Sequence, residues 1–176
     1  MKSDVISITN QGDGFEQALE ETRKVSAYRG LSEKESLHLL LFTEEILSIA
    51  RLISGDMTAS FWIESEGKSF QLHMTTNTML DKKKRAQLID AATSRKNEAA
   101  HSFLGKIRDA IEQAIASDNS YDEVPYDVMS DIVGREIEDP EWDEIECSIL
   151  RKLADNVKVS IRGDVVDVTV SKSFAA

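Results

Sequence analysis

The sequence predicts an α+β fold, a two-layer α/β sandwich in which helices cover one face of a mostly antiparallel sheet. Two observations lead to this prediction. Short segments with alternating apolar and polar residues, typical of β-strands, occur as pairs joined by tight turns. Longer segments with apolar residues at helical spacing lie between these pairs. Clustered hairpins and clustered helices are typical of an antiparallel sheet that carries a helical layer.

The chain begins with a predicted strand and a first helix. Residues 4–9 alternate isoleucines with polar residues, which indicates a strand. After the polar, glycine-containing break at residues 10–14, apolar residues recur at roughly helical spacing, and Gly30 ends this helix. The apolar residues of the predicted helix are Phe15, Leu19, Val25 and Tyr28.

The next helix, over residues 33–54, is the most informative segment. Ser32 with Glu35 three residues later forms a capping box at its start. An apolar stripe at spacings of three and four predicts the core-facing side, and a second apolar line lies on a different side. The stripe is Leu39, Phe42, Ile46, Ile49 and Ile53, and the second line is Leu37, Leu41 and Leu52. At about 100° per residue, Glu44 and Ser48 fall on the second line.

The remaining segments complete one domain over residues 1–176. Residues 58–65 and 69–76 alternate around a short turn and predict a hairpin, and residues 156–172 predict a second hairpin. Helices are predicted over 81–92, 96–117 and 141–154. Residues 117–140 are acidic and contain both prolines, so we interpret about 118–154 as an acidic insertion, either a variable loop or partly helical.

Composition narrows the class of protein. A formal net charge of −11 argues against a nucleic-acid binder, because it repels the phosphate backbone. The basic run at residues 81–85 fits either a solvated helix start or a contact to an anionic group. Cys147 is the single cysteine, which excludes an intrachain disulfide. No apolar run approaches the roughly 18 residues of a membrane span, and the first residues are too polar for a signal peptide. We therefore expect a cytoplasmic protein without membrane or nucleic-acid partners.

The order of these elements resembles the histidine-kinase-like ATPase (GHKL) superfamily, and most closely the small anti-sigma-factor serine kinases of bacteria. The resemblance covers nearly the whole chain except residues 118–154. It implies binding of ATP or ADP with Mg²⁺. It aligns Glu44 with the general base of the family's first motif. Ser48 takes the place of the asparagine that binds Mg²⁺, and its hydroxyl is a weaker ligand than an amide carbonyl.

The other two nucleotide motifs are degenerate in this chain. Thr76, Thr78 and Leu80 occupy the positions of the Asp-x-Gly-x-Gly motif, and a shift by one residue places Asn77 at the aspartate position. The glycine-rich lid is represented by Gly105, followed by Lys106 and Arg108, which fit a phosphate contact. The aspartate would supply the hydrogen bond that specifies adenine, and glycines let the backbone approach phosphate closely.

Three functions are consistent with these residues. The first is a regulatory protein resembling anti-sigma factors that acts by protein binding, with weak or absent nucleotide binding and Glu44 as a carboxylate lining the cleft. The second is a working ATP-dependent serine kinase with Glu44 as its base. The third is a non-enzymatic dimerisation module, since fold alone does not fix function. The expected partner is a sigma-like or anti-anti-sigma-like regulator. Acidic residues 136–146 are either its docking surface or an ordinary amphipathic helix start.

Overall fold

A computed structural model describes residues 1–53, 57–100 and 150–175 of the chain. These residues form five strands and three helices, with a short 3₁₀ turn at Glu98–Ala100. The strands are β1 (Ile6–Thr9), β2 (Thr58–Glu66), β3 (Ser69–Asn77), β4 (Asn156–Arg162) and β5 (Val165–Ser173). The helices are α1 (Phe15–Tyr28), α2 (Glu33–Leu52) and α3 (Lys82–Ala91). Residues 150–153 are also helical.

The five strands form one antiparallel sheet in the order β1-β2-β3-β5-β4. Alternate residues of each strand are buried on the face that carries the helices, as in the row Phe61, Met74, Val168 and Val159. These side chains and the apolar sides of the helices form a single hydrophobic core. The predicted α+β sandwich with helices on one sheet face is therefore confirmed.

Helix α2 follows the sequence prediction closely. The Ser32 hydroxyl accepts a hydrogen bond from the backbone N–H of Glu35, and the Glu35 carboxylate accepts one from the backbone N–H of Ser32. These bonds stabilise the charged carboxylate, and the backbone bond is the main reason that the pKa of Glu35 is lowered. All five residues of the predicted stripe are buried in the core. Leu37 of the second line is instead exposed.

Helix α1 differs from its predicted core face at two places. Tyr28 is 74% exposed, because the helical rotation carries it past Val25 to the margin of the buried side. Thr22 and Ser26 occupy the buried face instead, and each hydroxyl donates to the backbone carbonyl four residues earlier. The hydroxyl of Thr22 also lies 2.8 Å from that of Thr43 on α2. These contacts make polar residues compatible with the interface between the two helices.

The other predicted elements agree in kind and differ slightly in length. The two predicted hairpins correspond to β2–β3 and β4–β5. Helix α3 begins after Asp81, whose side chain accepts from the backbone N–H of Lys84 at 2.8 Å. Most of the predicted helix at 96–117 and most of the acidic insertion lie outside the described residues. In the part of the chain that the structure covers, no helix is long and apolar enough to cross a membrane.

Candidate functional site

Helix α2 carries the carboxylates of the candidate site. Glu44, at the predicted general-base position, is exposed, whereas its neighbour Glu45 is only 9% exposed. Ser48, at the predicted metal-ligand position, is half-buried. A step of about 100° separates Glu44 from Glu45 around the helix, and this step turns Glu45 towards the core-facing stripe. The buried carboxylate of α2 is thus Glu45, while Glu44 lies on the solvent side of the same helical turn.

Sequence reasoning did not single out Glu45, although its spacing contained a signal. Glu45 follows Phe42 by three residues and precedes Ile49 by four, so it lies on the same side of the helix as two residues of the apolar stripe. Buried carboxylates are rare unless they are paired or used in function. Glu45 therefore joins Ser48 as a candidate residue of the site on α2.

The end of β3 provides the second part of the candidate site. Thr76 is buried, and its hydroxyl donates to the backbone carbonyl of Thr58 at 2.9 Å. Asn77 is exposed at the last position of the strand. The backbone N–H of Thr78 donates to the carbonyl of Asp164 at 2.6 Å, which ties this end of β3 to the β4–β5 turn. Two of the three predicted binding residues at this strand end thus make hydrogen bonds within the scaffold.

Asn10 positions helix α2 above this end of the sheet. Its side-chain nitrogen donates to the backbone carbonyl of Ile53, one residue beyond α2, at 3.1 Å. Its side-chain oxygen accepts from the backbone N–H of Met57 at 3.5 Å. Met57 directly precedes Thr58, the carbonyl of which binds Thr76. Asn10 therefore links the end of α2 to the strand end that carries Thr76, a role that sequence patterning did not indicate.

The basic run at the start of α3 separates into exposed and buried residues. Lys82 and Lys83 are exposed, as the interpretation of a solvated helix start predicts. Arg85 is only 5% exposed and lies on the same side of α3 as buried Leu88. Buried arginine is uncommon, so Arg85 is the residue of this run that most resembles a site residue. Gly105 and Lys106, predicted from the lid motif, lie outside the described residues.

The histidines of the described residues lie apart and have packing partners. His38 stacks on Phe174 with ring centroids 6.3 Å apart. His73 stacks on Trp62 at 4.8 Å on the sheet face away from the helices, and the Lys2 ammonium lies over the Trp62 ring. Burial is the main reason that the pKa of His73 is lowered. Within the described residues, no three His, Cys, Asp or Glu side chains are grouped to hold a metal ion.

Comparisons with known protein families, curated proteins and solved structures give no match for this chain. The arrangement itself is therefore the basis for a functional hypothesis. The described residues place Glu45 and Ser48 on α2 and Thr76 to Thr78 at the end of β3. Helix α2 packs against β3, so the two halves of the candidate site belong to adjacent elements.

Proposed function

We propose that the protein is a regulatory protein of the histidine-kinase-like ATPase class that resembles bacterial anti-sigma factors and acts by binding another protein. The order of elements supports this proposal. A helix with a glutamate and a small polar residue four positions later is followed by a hairpin, a helix and a closing hairpin. In this proposal the cleft binds ATP or ADP with Mg²⁺ weakly or not at all.

One observation carries the proposal of weakened nucleotide binding. At the strand end where the family has a carboxylate that binds adenine, the chain has Thr76, and its hydroxyl donates to the carbonyl of Thr58 in a buried position. A hydroxyl that is held in this way has no second proton to donate. A threonine also has no carboxylate to accept a hydrogen bond from the adenine amino group. Loss of such a polar partner removes most of the specificity for a base.

The position of Glu44 is compatible with a catalytic and with a non-catalytic role. A general base must reach the proton that it removes, within about 2.6–3.2 Å or through one water. Glu44 lies on the exposed side of α2, while the buried positions of this helix turn belong to Glu45 and Ile46. An exposed carboxylate can meet this requirement when a substrate is bound, so Thr76 is the residue that distinguishes the two functions. A working serine kinase of this class would require a carboxylate at the position of Thr76.

Thermal unfolding with and without millimolar ATP or ADP and Mg²⁺ tests the proposal. A nucleotide present at 100 times its dissociation constant stabilises the native state by about 2.7 kcal/mol. For a chain of this size that stabilisation raises Tm by roughly 5–10 °C. We expect no shift of this size. A clear shift that disappears in Glu44→Gln or Ser48→Ala would instead contradict the degenerate cleft and favour the kinase alternative.

The protein-binding part of the proposal needs a separate measurement. The full chain serves as bait at low and at high salt, and a bound regulator is identified and then purified for direct titration. We expect one stoichiometric partner whose affinity falls with salt, because contacts between charged surfaces are screened. Self-association in the absence of any other partner would favour the dimerisation module.

A further inference from the structure

The outer edge of β4 is closed by residues of the loop that follows helix α3, residues 92–97. The backbone N–H of Thr93 donates to the carbonyl of Val157 at 2.9 Å, and the Thr93 hydroxyl accepts from the N–H of Val157 at 2.8 Å. Further along, the Asn97 amide donates to the carbonyl of Ile161 and accepts from its N–H, both at 2.8 Å. An incoming strand therefore cannot pair with β4 at these positions.

Three exposed cations surround this closed edge. Lys96 lies in the loop, and Lys158 and Arg162 lie on β4, about 13 Å apart along the strand. None of the three forms an ion pair with a described residue. Lysines and arginines that do form such pairs elsewhere are Lys2, Lys24, Lys68, Arg95, Arg151 and Lys172. We call Lys96, Lys158 and Arg162 the basic rim.

The loop that holds Lys96 has a fixed and strained backbone. Arg95 has a φ of 52°, and it is the one non-glycine residue with positive φ among the described residues. This conformation costs free energy for a residue with a side chain and persists where surrounding contacts hold it. The hydrogen bonds of Thr93 and Asn97 on either side supply such contacts. The backbone that carries Lys96 is therefore held against the edge of β4.

The charge of the chain is distributed unevenly along the sequence. Of the 32 acidic and 21 basic side chains, 14 acidic and 3 basic ones lie within residues 101–149, so the remainder holds 18 of each. The net charge of −11 thus belongs to one segment of the sequence, and the rest is neutral overall. Lys158 and Arg162 lie on one face of β4, with Asp167 of β5 opposite the residue between them. Exposed cations such as these attract anionic groups at short range, since screening limits charge effects to about 8–10 Å.

We propose that the basic rim is a docking surface for an acidic segment of a partner protein. This inference rests on the proposed function, because it specifies the chemistry of the partner that the protein binds. Recognition would occur between side-chain charges, since the edge hydrogen bonds of β4 at Val157 and Ile161 are already used. A nucleic acid fits less well, because the net charge of −11 opposes a long polyanion.

The aromatic residues of the sheet surface also favour a protein over a nucleic acid. Single-stranded nucleic acids bind sheet surfaces by stacking bases on aromatic rings. The Trp62 ring stacks on His73, and the Lys2 ammonium lies over it at 4.7 Å from the ring centroid. This ring therefore already has two packing partners within the protein itself.

Fluorescence anisotropy with a labelled short peptide of Asp, Glu and Ser tests the docking surface on the full chain. Two probes serve for comparison. One is the same peptide with Asn and Gln in place of Asp and Glu, and the other is an oligothymidine with a charge similar to that of the acidic peptide. We expect the acidic peptide to bind and to lose about tenfold in affinity between about 50 and 500 mM salt. Lys158→Glu/Arg162→Glu should weaken binding by about tenfold or more. The milder Lys158→Gln/Arg162→Gln should weaken it by a smaller factor.

A matched control separates the basic rim from total charge. Arg23→Glu/Lys34→Glu changes the net charge equally at two exposed cations on α1 and α2, and should leave peptide binding unchanged. Equal loss in this control, no binding of the acidic peptide, or tighter binding of oligothymidine would each overturn the inference. A nucleotide-induced rise in Tm would contradict the proposed function instead, so the two failures are distinguishable.

Discussion

Replacing Asn97 by aspartate should destabilise the protein in a manner that depends on pH. Asn97 is 6% exposed, and its amide both donates to and accepts from the backbone of Ile161. Aspartate preserves the shape and the accepting oxygen but replaces the donating NH₂ group with a second oxygen. When ionised, that oxygen faces the Ile161 carbonyl, so one hydrogen bond is lost and two acceptors are brought together.

The magnitude of this effect follows from the two bonds of 2.8 Å. A buried acceptor without its donor costs about 1–3 kcal/mol, and burial of the new charge adds to this cost. We expect Asn97→Asp to lower the free energy of unfolding by about 3 kcal/mol at pH 7. A protonated carboxyl can donate to Ile161 again. Its pKa in the folded state should therefore lie above the ordinary value of about 3.9.

The direction of the pH dependence follows from that raised pKa. A group with a raised pKa in the folded state stabilises the protein at low pH, and the stabilisation is lost as pH rises through the folded pKa. The free energy of unfolding of Asn97→Asp should thus lie about 3 kcal/mol below that of wild type at pH 7. This difference should shrink to about 1 kcal/mol near pH 4. Urea unfolding monitored by circular dichroism at both pH values measures this difference.

Two further variants make the prediction refutable. Asn97→Ala removes the two bonds to Ile161, and the one that the side chain accepts from the backbone N–H of Ala99, without adding a charge. Its cost of about 2 kcal/mol should therefore not depend on pH. Asn77→Asp makes the same chemical change at an exposed strand end and should cost less than about 0.5 kcal/mol. If Asn97→Asp costs no more than Asn77→Asp, or if its cost relative to wild type is equal at both pH values, the assigned role of the Asn97 amide is wrong.

Two other predictions concern Gly14 and His73. Gly14 has a φ of 78°, and a Cβ atom there would lie 2.1 Å from the carbonyl oxygen of Ser7. Gly30 has a φ of 64° and open space around it. Gly14→Ala should therefore lower the free energy of unfolding, measured by thermal unfolding, by about 3 kcal/mol or more, and Gly30→Ala should lower it by about 1 kcal/mol. Equal losses in the two variants would refute the close approach of Gly14 to Ser7. Burial lowers the pKa of His73, so the free energy of unfolding should fall as pH decreases from about 7 through that pKa. His73→Gln should reduce this slope, and an unchanged slope would contradict the reasoning.

The fold was largely predictable because its local and global patterns agree. The apolar stripe of α2 from Leu39 to Ile53 and the alternation in both hairpins each specify one buried face. The capping box at Ser32 also fixed the start of α2. Segments with strong periodicity and a defined start leave little freedom for another arrangement.

The candidate site was less predictable because its residues depend on contacts between distant elements. Asn10 joins the end of α2 to the start of β2, and Asn97 closes the edge of β4, which lies 64 residues away from it in sequence at Ile161. Neither asparagine belongs to a local sequence motif that would predict the contact. Glu45 was missed for a different reason. The resemblance to the histidine-kinase-like class drew attention to Glu44, whereas burial depends on the exact rotation of the helix.

Net charge is a poor guide to partners when the charges are segregated. The value of −11 argues against a nucleic-acid partner, yet residues 101–149 account for all of it. At physiological ionic strength a partner at the β4 edge responds to charges within about 8–10 Å, where Lys158 and Arg162 are exposed. The exclusion therefore applies to a long polyanion that spans the whole molecule, and it does not apply to a short acidic segment. In the proposed docking at the basic rim, partner size therefore matters together with partner charge.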